Sequence, residues 1–198
     1  MPRLSQIAAI INTEIQTNVL NTSRFQTAKY FDVADIVKEV KEDVETFYPV
    51  IIDNDGECTP VIVDDTYPLQ IYHRVLSLSN EVFVTDNYGD ENQVLKETAK
   101  MTMVIISDRH VIQMSSEDLL SLIAVNLPGT LTNLQLLTNY LISVNIYADG
   151  ECIIDNEEVY NREYNLGEYL LKPSSMMYAL SYTIETVFDK KCFPNCEI

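Results

Sequence analysis

The 198-residue sequence has few of the residues from which catalytic and ligand-binding signatures are built. It contains no tryptophan, only two histidines and five glycines, and the glycines are isolated at Gly56, Gly89, Gly129, Gly150 and Gly167. The dinucleotide-binding fingerprint and the Walker phosphate loop each need glycines clustered within a few residues. Neither pattern can be written on this chain, so the sequence predicts no nucleotide cofactor of these types.

The two histidines also lack the neighbours that metal or nucleophilic catalysis requires. His73 lies inside a predicted strand and His110 follows another, and neither belongs to an HExxH pattern or lies beside a cysteine. A structural role is predicted for both. Metal, cofactor and catalytic sites are therefore not expected, and the chain is predicted not to be an enzyme.

Two acidic turns, DNDG and DNYGD, offer oxygen atoms beside a glycine and so raise the question of calcium. Aligning Gly56 with the glycine of an EF-hand loop puts Ile51 and Ile62 where the first and last ligands should be. The same alignment of Gly89 puts Val84 and Leu95 there. We expect both segments to be turns, with weak calcium binding at the surface as the alternative.

Basic residues are scarce: the chain has 13 Lys and Arg against 30 Asp and Glu, a formal net charge of -17. This balance opposes direct binding of a phosphate backbone, which needs clustered positive charge. Plain solubility would explain the excess. The functional alternative is that the acidic residues form a channel surface along which DNA moves without binding.

Cysteine is too sparse for a disulfide scaffold, and long apolar runs are missing. Cys58, Cys152, Cys192 and Cys196 predict reduced thiols and synthesis in a cytoplasm, although the CFPNC segment leaves zinc as a weaker alternative. No apolar run reaches the roughly 18 residues that a membrane span needs. The segment MPRLSQIAAIINTEIQ is expected to form a helix, not a signal peptide.

Helices are predicted where apolar residues recur every three or four positions. One stripe runs along the N-terminus, and SSEDLLSLIAVNLPG adds a capped mid-chain helix with Leu119, Leu120 and Ile123 on its apolar face. For Asp32 to Phe47 a shorter helix capped by Asp32 is preferred, and a strand competes because the segment also alternates. The N-terminal stripe consists of Leu4, Ile7, Ala8, Ile11, Ile15 and Val19.

The rest of the chain is predicted to be mainly β. YPVIID and TPVIVDD form a hairpin around DNDGE, LQIYHRVLSLS a long strand, DNYGDEN an exposed loop and MTMVIIS a central strand. Downstream, ISVNIYADGECIID predicts two short strands around an Asp-Gly turn, and EYLLK and MYALSYTIETVF predict two more. The start of the segment from Leu131 to Ala148 stays open between helix and strand. Together these elements predict one α+β domain over residues 1–198, mostly antiparallel sheet flanked by the N-terminal and mid-chain helices.

Two stretches, YPVIIDNDGECTPVIVDDTYPLQIYHRVLS and KETAKMTMVIISDRHVIQMSSEDLLSLIAVNLP, resemble the ring-forming neck and tail proteins of tailed bacteriophages, especially crAss-like phages. They cover roughly a third of the chain. The order of elements also resembles the tail-terminator fold. By that comparison residues 24–47 are an expected insertion and residues 131–198 an extended C-terminal part.

The resemblance implies a virion protein, made in the bacterial host cytoplasm, that forms a homo-oligomeric ring in the neck or tail. Its partners would be further copies and the portal, neck and tail proteins, with DNA passing through the channel unbound and no membrane contact. The acidic turns are the expected assembly or channel loops, with candidate residues Asp53, Asp55, Glu57, Asp86, Asp90 and Glu91.

Two other classes of protein remain open. A small acidic cytoplasmic regulatory or inhibitor protein could use its charge to imitate nucleic acid against a basic partner. An enzyme with an unfamiliar acidic pocket is the third, although no constellation of residues supports it.

Overall fold

The computed structural model describes residues 2–19, 27–41, 43–52, 57–64, 66–87, 90–127, 130–131, 141–165 and 174–189. Four α-helices lie in this part of the chain: α1 (Pro2–Glu14), continued by a π-helical turn (Ile15–Val19), α2 (Arg109–Ile112), α3 (Ser116–Val125) and α4 (Asn156–Glu163). The strands there are β1 (Lys29–Lys41), β2 (Val44–Ile52), β3 (Cys58–Pro60), β4 (Leu69–Asn87), β5 (Asp90–Asp108), β6 (Thr130–Leu131), β7 (Leu141–Ile153) and β8 (Ser175–Asp189).

All eight strands belong to one sheet with the order β3-β2-β1-β4-β5-β8-β7-β6. Every neighbouring pair is antiparallel except β1 and β4, which run parallel. The predicted class, α+β with a mostly antiparallel sheet, an N-terminal helix and a mid-chain helix, is confirmed.

The core lies on both faces of this sheet. On one face, apolar residues of α1, α2 and α3 form a continuous buried cluster with residues of the central strands, among them Met103 and Ile105 of β5. On the other face, Val159 and Tyr160 of α4 pack with Tyr72, Val104 and their neighbours. Because opposite faces carry successive residues of a strand, β5 is buried on both sides through Met101–Ser107. The prediction that MTMVIIS forms a central strand is confirmed.

The mid-chain helix begins where the sequence predicts. Ser115 caps α3: its hydroxyl accepts a hydrogen bond from the backbone N–H of Asp118 at 3.1 Å, as an N-cap should. Leu119, Leu120 and Ile123 are buried against the sheet. The apolar stripe of the N-terminal helix belongs to the same cluster through Leu4, Ile7, Ile11 and Ile15, and Ala8 is also buried.

The helix preferred over Asp32 to Phe47 is wrong, because the segment forms the antiparallel strands β1 and β2 with a turn at Asp43. Asp32 does not cap a helix; its carboxylate accepts a hydrogen bond from the N–H of Val33 inside β1. The segment is rich in β-branched residues that alternate with polar ones, and pairing with β4 and β2 decides the outcome in favour of strands.

The prediction of two short strands around Asp149-Gly150 is also wrong. β7 is one strand that bulges, because its pairing with β8 passes from Ala148↔Tyr182 directly to Cys152↔Leu180. Gly150 has a φ of 79°, which suits glycine and lets the bulge form without a turn back.

Within the extended C-terminal part 131–198, β8 confirms the strand predicted over MYALSYTIETVF, whereas EYLLK lies outside the described residues. β2 and β3 pair antiparallel, as predicted for the hairpin around DNDGE, but β3 covers only Cys58–Pro60, and Val61–Asp64 of the predicted strand TPVIVDD lie outside any strand. Within the expected insertion 24–47, β1 occupies a position near the middle of the sheet, between β2 and β4.

Candidate functional site

The first predicted acidic turn is only partly visible. Asp53 and Asp55 lie outside the described residues. Glu57 is exposed directly before β3, at the end of the sheet where β3 is the outermost strand. The structure thus places Glu57 on the surface.

The second predicted acidic segment is not a loop over most of its length. β4 runs to Asn87 and β5 starts at Asp90, so the five described residues of DNYGDEN belong to two paired strands of 19 residues each. The register places Asp86 opposite Glu91 and Asn87 opposite Asp90. The prediction of an exposed loop is therefore corrected, and the three candidate residues share one hairpin tip.

Like charges at directly opposite positions of an antiparallel pair destabilise it. The register places Asp86 and Glu91 at such a position and Asp90 opposite Asn87, so one like-charged pair opposes the strand pairing at the tip. Their concentration at the tip indicates a function outside the fold, or plain solubility.

One edge of this hairpin is open along most of its length. β1 pairs with β4 only from Lys29↔Gln70 to Val33↔His73, and from Ala34 onward β1 pairs with β2 on its far side. In the described part of the chain, no strand pairs with the outer side of β4 from Val75 to Asn87. We call this stretch the open β4 edge.

Apolar side chains are exposed on the open β4 edge. Leu76, Leu78 and Val82 are 50%, 43% and 56% exposed. The edge contains no proline, and Glu81 is the only charged residue between Val75 and Thr85. Proteins usually protect an exposed edge strand with lysine, proline or a very short length, and this edge has none of these.

A mostly polar surface covers one face of the neighbouring strands. Lys96 forms an ion pair with Glu185, and this hydrogen-bonded partner is the main reason why the pKa of Glu185 lies below its usual value. Thr183 donates a hydrogen bond to Asp149 in the β7 bulge at 2.7 Å. These contacts join β5, β8 and β7, which lie on the side of β4 away from its open edge.

A chain of buried hydrogen bonds fastens α1 to the sheet. Asn12 donates from Nδ2 to the carbonyl oxygen of Phe31 at 2.9 Å, so its Oδ1 is the atom that faces His73 Nε2, 2.8 Å away. Since Oδ1 only accepts, Nε2 carries the imidazole proton and Nδ1 accepts from the hydroxyl of Tyr182, also at 2.8 Å. These hydrogen bonds therefore fix one tautomer of neutral His73.

Burial controls the protonation of the two titratable groups in this hydrogen-bond series, His73 and Tyr182. His73 and Tyr182 are fully buried, and loss of hydration lowers the pKa of His73 to about 3 and raises the pKa of Tyr182. Near neutral pH the imidazole of His73 is therefore neutral and the Tyr182 phenol is protonated, and their hydrogen bonds hold α1 against the sheet.

A second buried cluster fastens α4 to the sheet. Glu163 is fully buried at the end of α4 and accepts from Arg74 Nη1 at 2.9 Å, from Arg162 Nε at 2.8 Å and from the Tyr72 hydroxyl at 3.2 Å. Tyr164 donates to the carbonyl oxygen of Val61 at 2.9 Å. The Glu163 carboxylate thus joins α4 to β4, and the Tyr164 hydroxyl joins the end of α4 to the segment after β3.

Sequence reasoning missed this cluster because it missed α4. The signal was present: Asp155 caps α4 by accepting from the N–H of Glu158 at 3.0 Å, and Glu157 and Glu158 occupy its first turn. By contrast, the structural role predicted for His73 agrees with its position in the sheet.

A shallow groove of about 320 Å³ lies between α1 and β1. Its lining combines amide, hydroxyl and phenol groups with one carboxylate, that of Asp32, and burial raises the pKa of Tyr30 to about 12. Converging acids and bases are lacking in this lining. The lining residues are Ala9, Asn12, Thr13, Gln16, Tyr30, Phe31 and Asp32.

Among the described residues, no group of three or more His, Cys, Asp or Glu side chains could hold a metal ion. None of the helices in the described ranges is long and apolar enough to span a membrane. No protein-family model matches the chain, and no curated protein matches it either.

Proposed function

We propose that this chain is a structural, non-enzymatic virion protein that assembles into an oligomeric ring in the neck or tail of a tailed bacteriophage. There it lines or seals the DNA channel between portal and tail. Its contacts are further copies of itself and the neighbouring portal, neck and tail proteins.

The observation that carries the proposal is the acidic tip of the β4–β5 hairpin. Asp86, Asp90 and Glu91 lie together at the end of a hairpin with 19-residue strands, in a register that works against hairpin stability. Carboxylates on a channel wall repel phosphate at short range, so DNA could pass without being held.

The two phage-like stretches support the same proposal. The first spans the end of β2, β3 and the start of β4, and the second spans most of β5 together with α2 and α3. The resemblance therefore involves the central strands and the helix that packs on them, not a peripheral segment.

Assembly is the first test. Light scattering and negative-stain electron microscopy of the purified protein should show closed rings with a mass several times the 22.6 kDa of one chain. A monomer or dimer that binds a basic protein would favour the nucleic-acid mimic instead.

The hairpin tip is the second test. Virions are assembled with the triple variant Asp86→Asn, Asp90→Asn and Glu91→Gln, and particle yield and the rate of genome ejection are measured over a range of salt concentrations. We expect tighter DNA retention and slower ejection at low salt, fading as salt screens the charges.

A matched control removes the same charge elsewhere. Asp43, Glu117 and Glu151 are exposed and lie far from the tip in sequence, and the variant Asp43→Asn, Glu117→Gln and Glu151→Gln has the same net charge as the tip variant. Equal behaviour of both variants would assign the acidic excess to solubility and remove the channel role.

A further inference from the structure

The open β4 edge is the least charged long stretch of exposed strand in the described chain. Its 13 residues from Val75 to Asn87 carry two charges, Glu81 and Asp86, whereas the eight residues of β1 from Ala34 to Lys41 carry four: Asp35, Lys38, Glu39 and Lys41. Two copies with a net charge of -17 each repel one another, so contact costs least where charge is lowest. A basic partner would gain little from this stretch, which favours a second copy as its occupant.

The alternation of β4 also fits a copy of itself. The register with β5 places Leu78, Asn80 and Val82 opposite Ala99, Glu97 and Leu95, which puts all three on one face of the sheet. Ser77, Ser79 and Glu81 lie on the other face. A bulge between Val75 and Ser77 marks where this exposed alternation begins.

We propose that two copies of this chain associate by pairing their open β4 edges antiparallel about a two-fold axis through Asn80. The pairing would continue the sheet of one copy into the other by backbone hydrogen bonds. It does not depend on the ring proposal, because a two-fold contact closes on itself and would join two subunits or two rings face to face.

The side chains favour this register over the two neighbouring ones, centred on Ser79 and on Glu81. With Asn80 on the axis, Leu78 of each copy faces Val82 of the other, and Glu81 faces Ser79. Centring on Glu81 would oppose two carboxylates, and centring on Ser79 would place Leu78 opposite Asn80. Of the registers centred on Ser79, Asn80 and Glu81, only the Asn80 register places both Leu78 and Val82 opposite an apolar residue and keeps the two Glu81 carboxylates apart.

Disulfide trapping tests the register directly. In a background with all four cysteines changed to serine, Asn80→Cys is compared with Glu81→Cys under mild oxidation. Directly opposite Cα atoms in an antiparallel pair lie about 4.5–5.5 Å apart, within the range of a disulfide, whereas diagonal positions lie beyond it.

We expect Asn80→Cys to cross-link at least roughly tenfold more than Glu81→Cys, because only the first residue meets its own copy. Equal cross-linking of both variants, or none from Asn80→Cys, would overturn the proposed pairing.

A charge on the edge tests the association itself. Val82→Lys should halve the mass measured by light scattering, while Val125→Lys, at an 83% exposed position on α3, should leave it unchanged. Each substitution lowers the net negative charge equally, so general repulsion cannot explain a difference. Circular dichroism and thermal melts of both variants establish that they are folded.

The outcomes separate this pairing from the ring. A wild-type mass of about twice 22.6 kDa that Val82→Lys halves supports the pairing without a ring. A larger mass that Val82→Lys halves supports both. A mass that Val82→Lys does not change refutes the pairing. The ring proposal is then decided by its own tests.

Discussion

His73 should make the free energy of unfolding fall as the pH is lowered from neutrality. Burial lowers its pKa to about 3 in the folded protein, from an ordinary value of 6.5. Between these two values the unfolded chain binds a proton and the folded chain does not, so protonation favours unfolding. The stabilising contribution is complete above pH 6.5 and is lost progressively as the pH falls toward 3.

The size of the change in the free energy of unfolding follows from the lowered pKa of His73. Each pH unit below the unfolded pKa costs about 1.4 kcal/mol, and integrating from pH 7 to pH 5 gives roughly 2 kcal/mol. Domains of this size are stable by about 5–15 kcal/mol, so the loss is readily measured. Asp64 and Glu185 have lowered carboxyl pKa values, and their contributions are lost only at more acidic pH.

The assay is urea unfolding at pH 7, 6 and 5 for wild type, His73→Gln and His110→Gln. Glutamine can still donate to Asn12 but does not titrate, so His73→Gln should flatten the dependence by roughly 2 kcal/mol across this range. His110 is exposed on α2 and is the matched control, because the chain has no third histidine. An unchanged slope in His73→Gln, or a flattening in His110→Gln instead, would refute the reasoning.

Two further predictions concern the core. Ile105→Asp should prevent folding, because Ile105 is fully buried in β5 and the new carboxylate would have no partner. The control Val111→Asp changes a position that is 47% exposed and should fold. Circular dichroism distinguishes the folded from the unfolded variant. Glu163→Leu should lower the free energy of unfolding by about 3–5 kcal/mol, since it leaves Arg74 and Arg162 without their shared anion. A urea midpoint for Glu163→Leu equal to that of wild type would show that the cluster contributes nothing to stability.

Elements with strong local signals were predictable from the sequence. MTMVIIS is a short apolar run without the spacing of a helix, and it forms the middle of β5. Ser115 and the acids after it specify the start of α3 by local hydrogen bonding alone. In both cases the sequence signal lies within a few residues of the chain.

Where a segment had local preferences for two kinds of secondary structure, pairing with distant segments decided which one formed. The segment from Asp32 to Phe47 carries both a helical and an alternating pattern, and only its partners in the sheet resolve the conflict. The Asp149-Gly150 pair suits a tight turn equally well. The continuous partner strand β8 converts it into a bulge instead.

The buried clusters depend on contacts still more distant in sequence. Tyr182 and His73 are 109 residues apart, and Glu163 and Tyr72 are 91 apart, so no window of sequence contains either cluster. A histidine amid the alternating apolar residues of β4 does indicate burial. Its partners, and therefore its tautomer and its pKa, come only from the fold.

The open β4 edge could not be predicted from the sequence either. The alternation of LQIYHRVLSLS predicts a strand, and the sequence continues in that manner past Ser79, but alternation does not reveal how many neighbours a strand has. β1 leaves β4 after Val33, and that departure exposes Leu78 and Val82 on an unprotected edge. A strand whose apolar residues face solvent without lysine or proline to protect them is poorly suited to an isolated subunit. Its sequence is therefore better explained by a partner strand than by the stability of one chain.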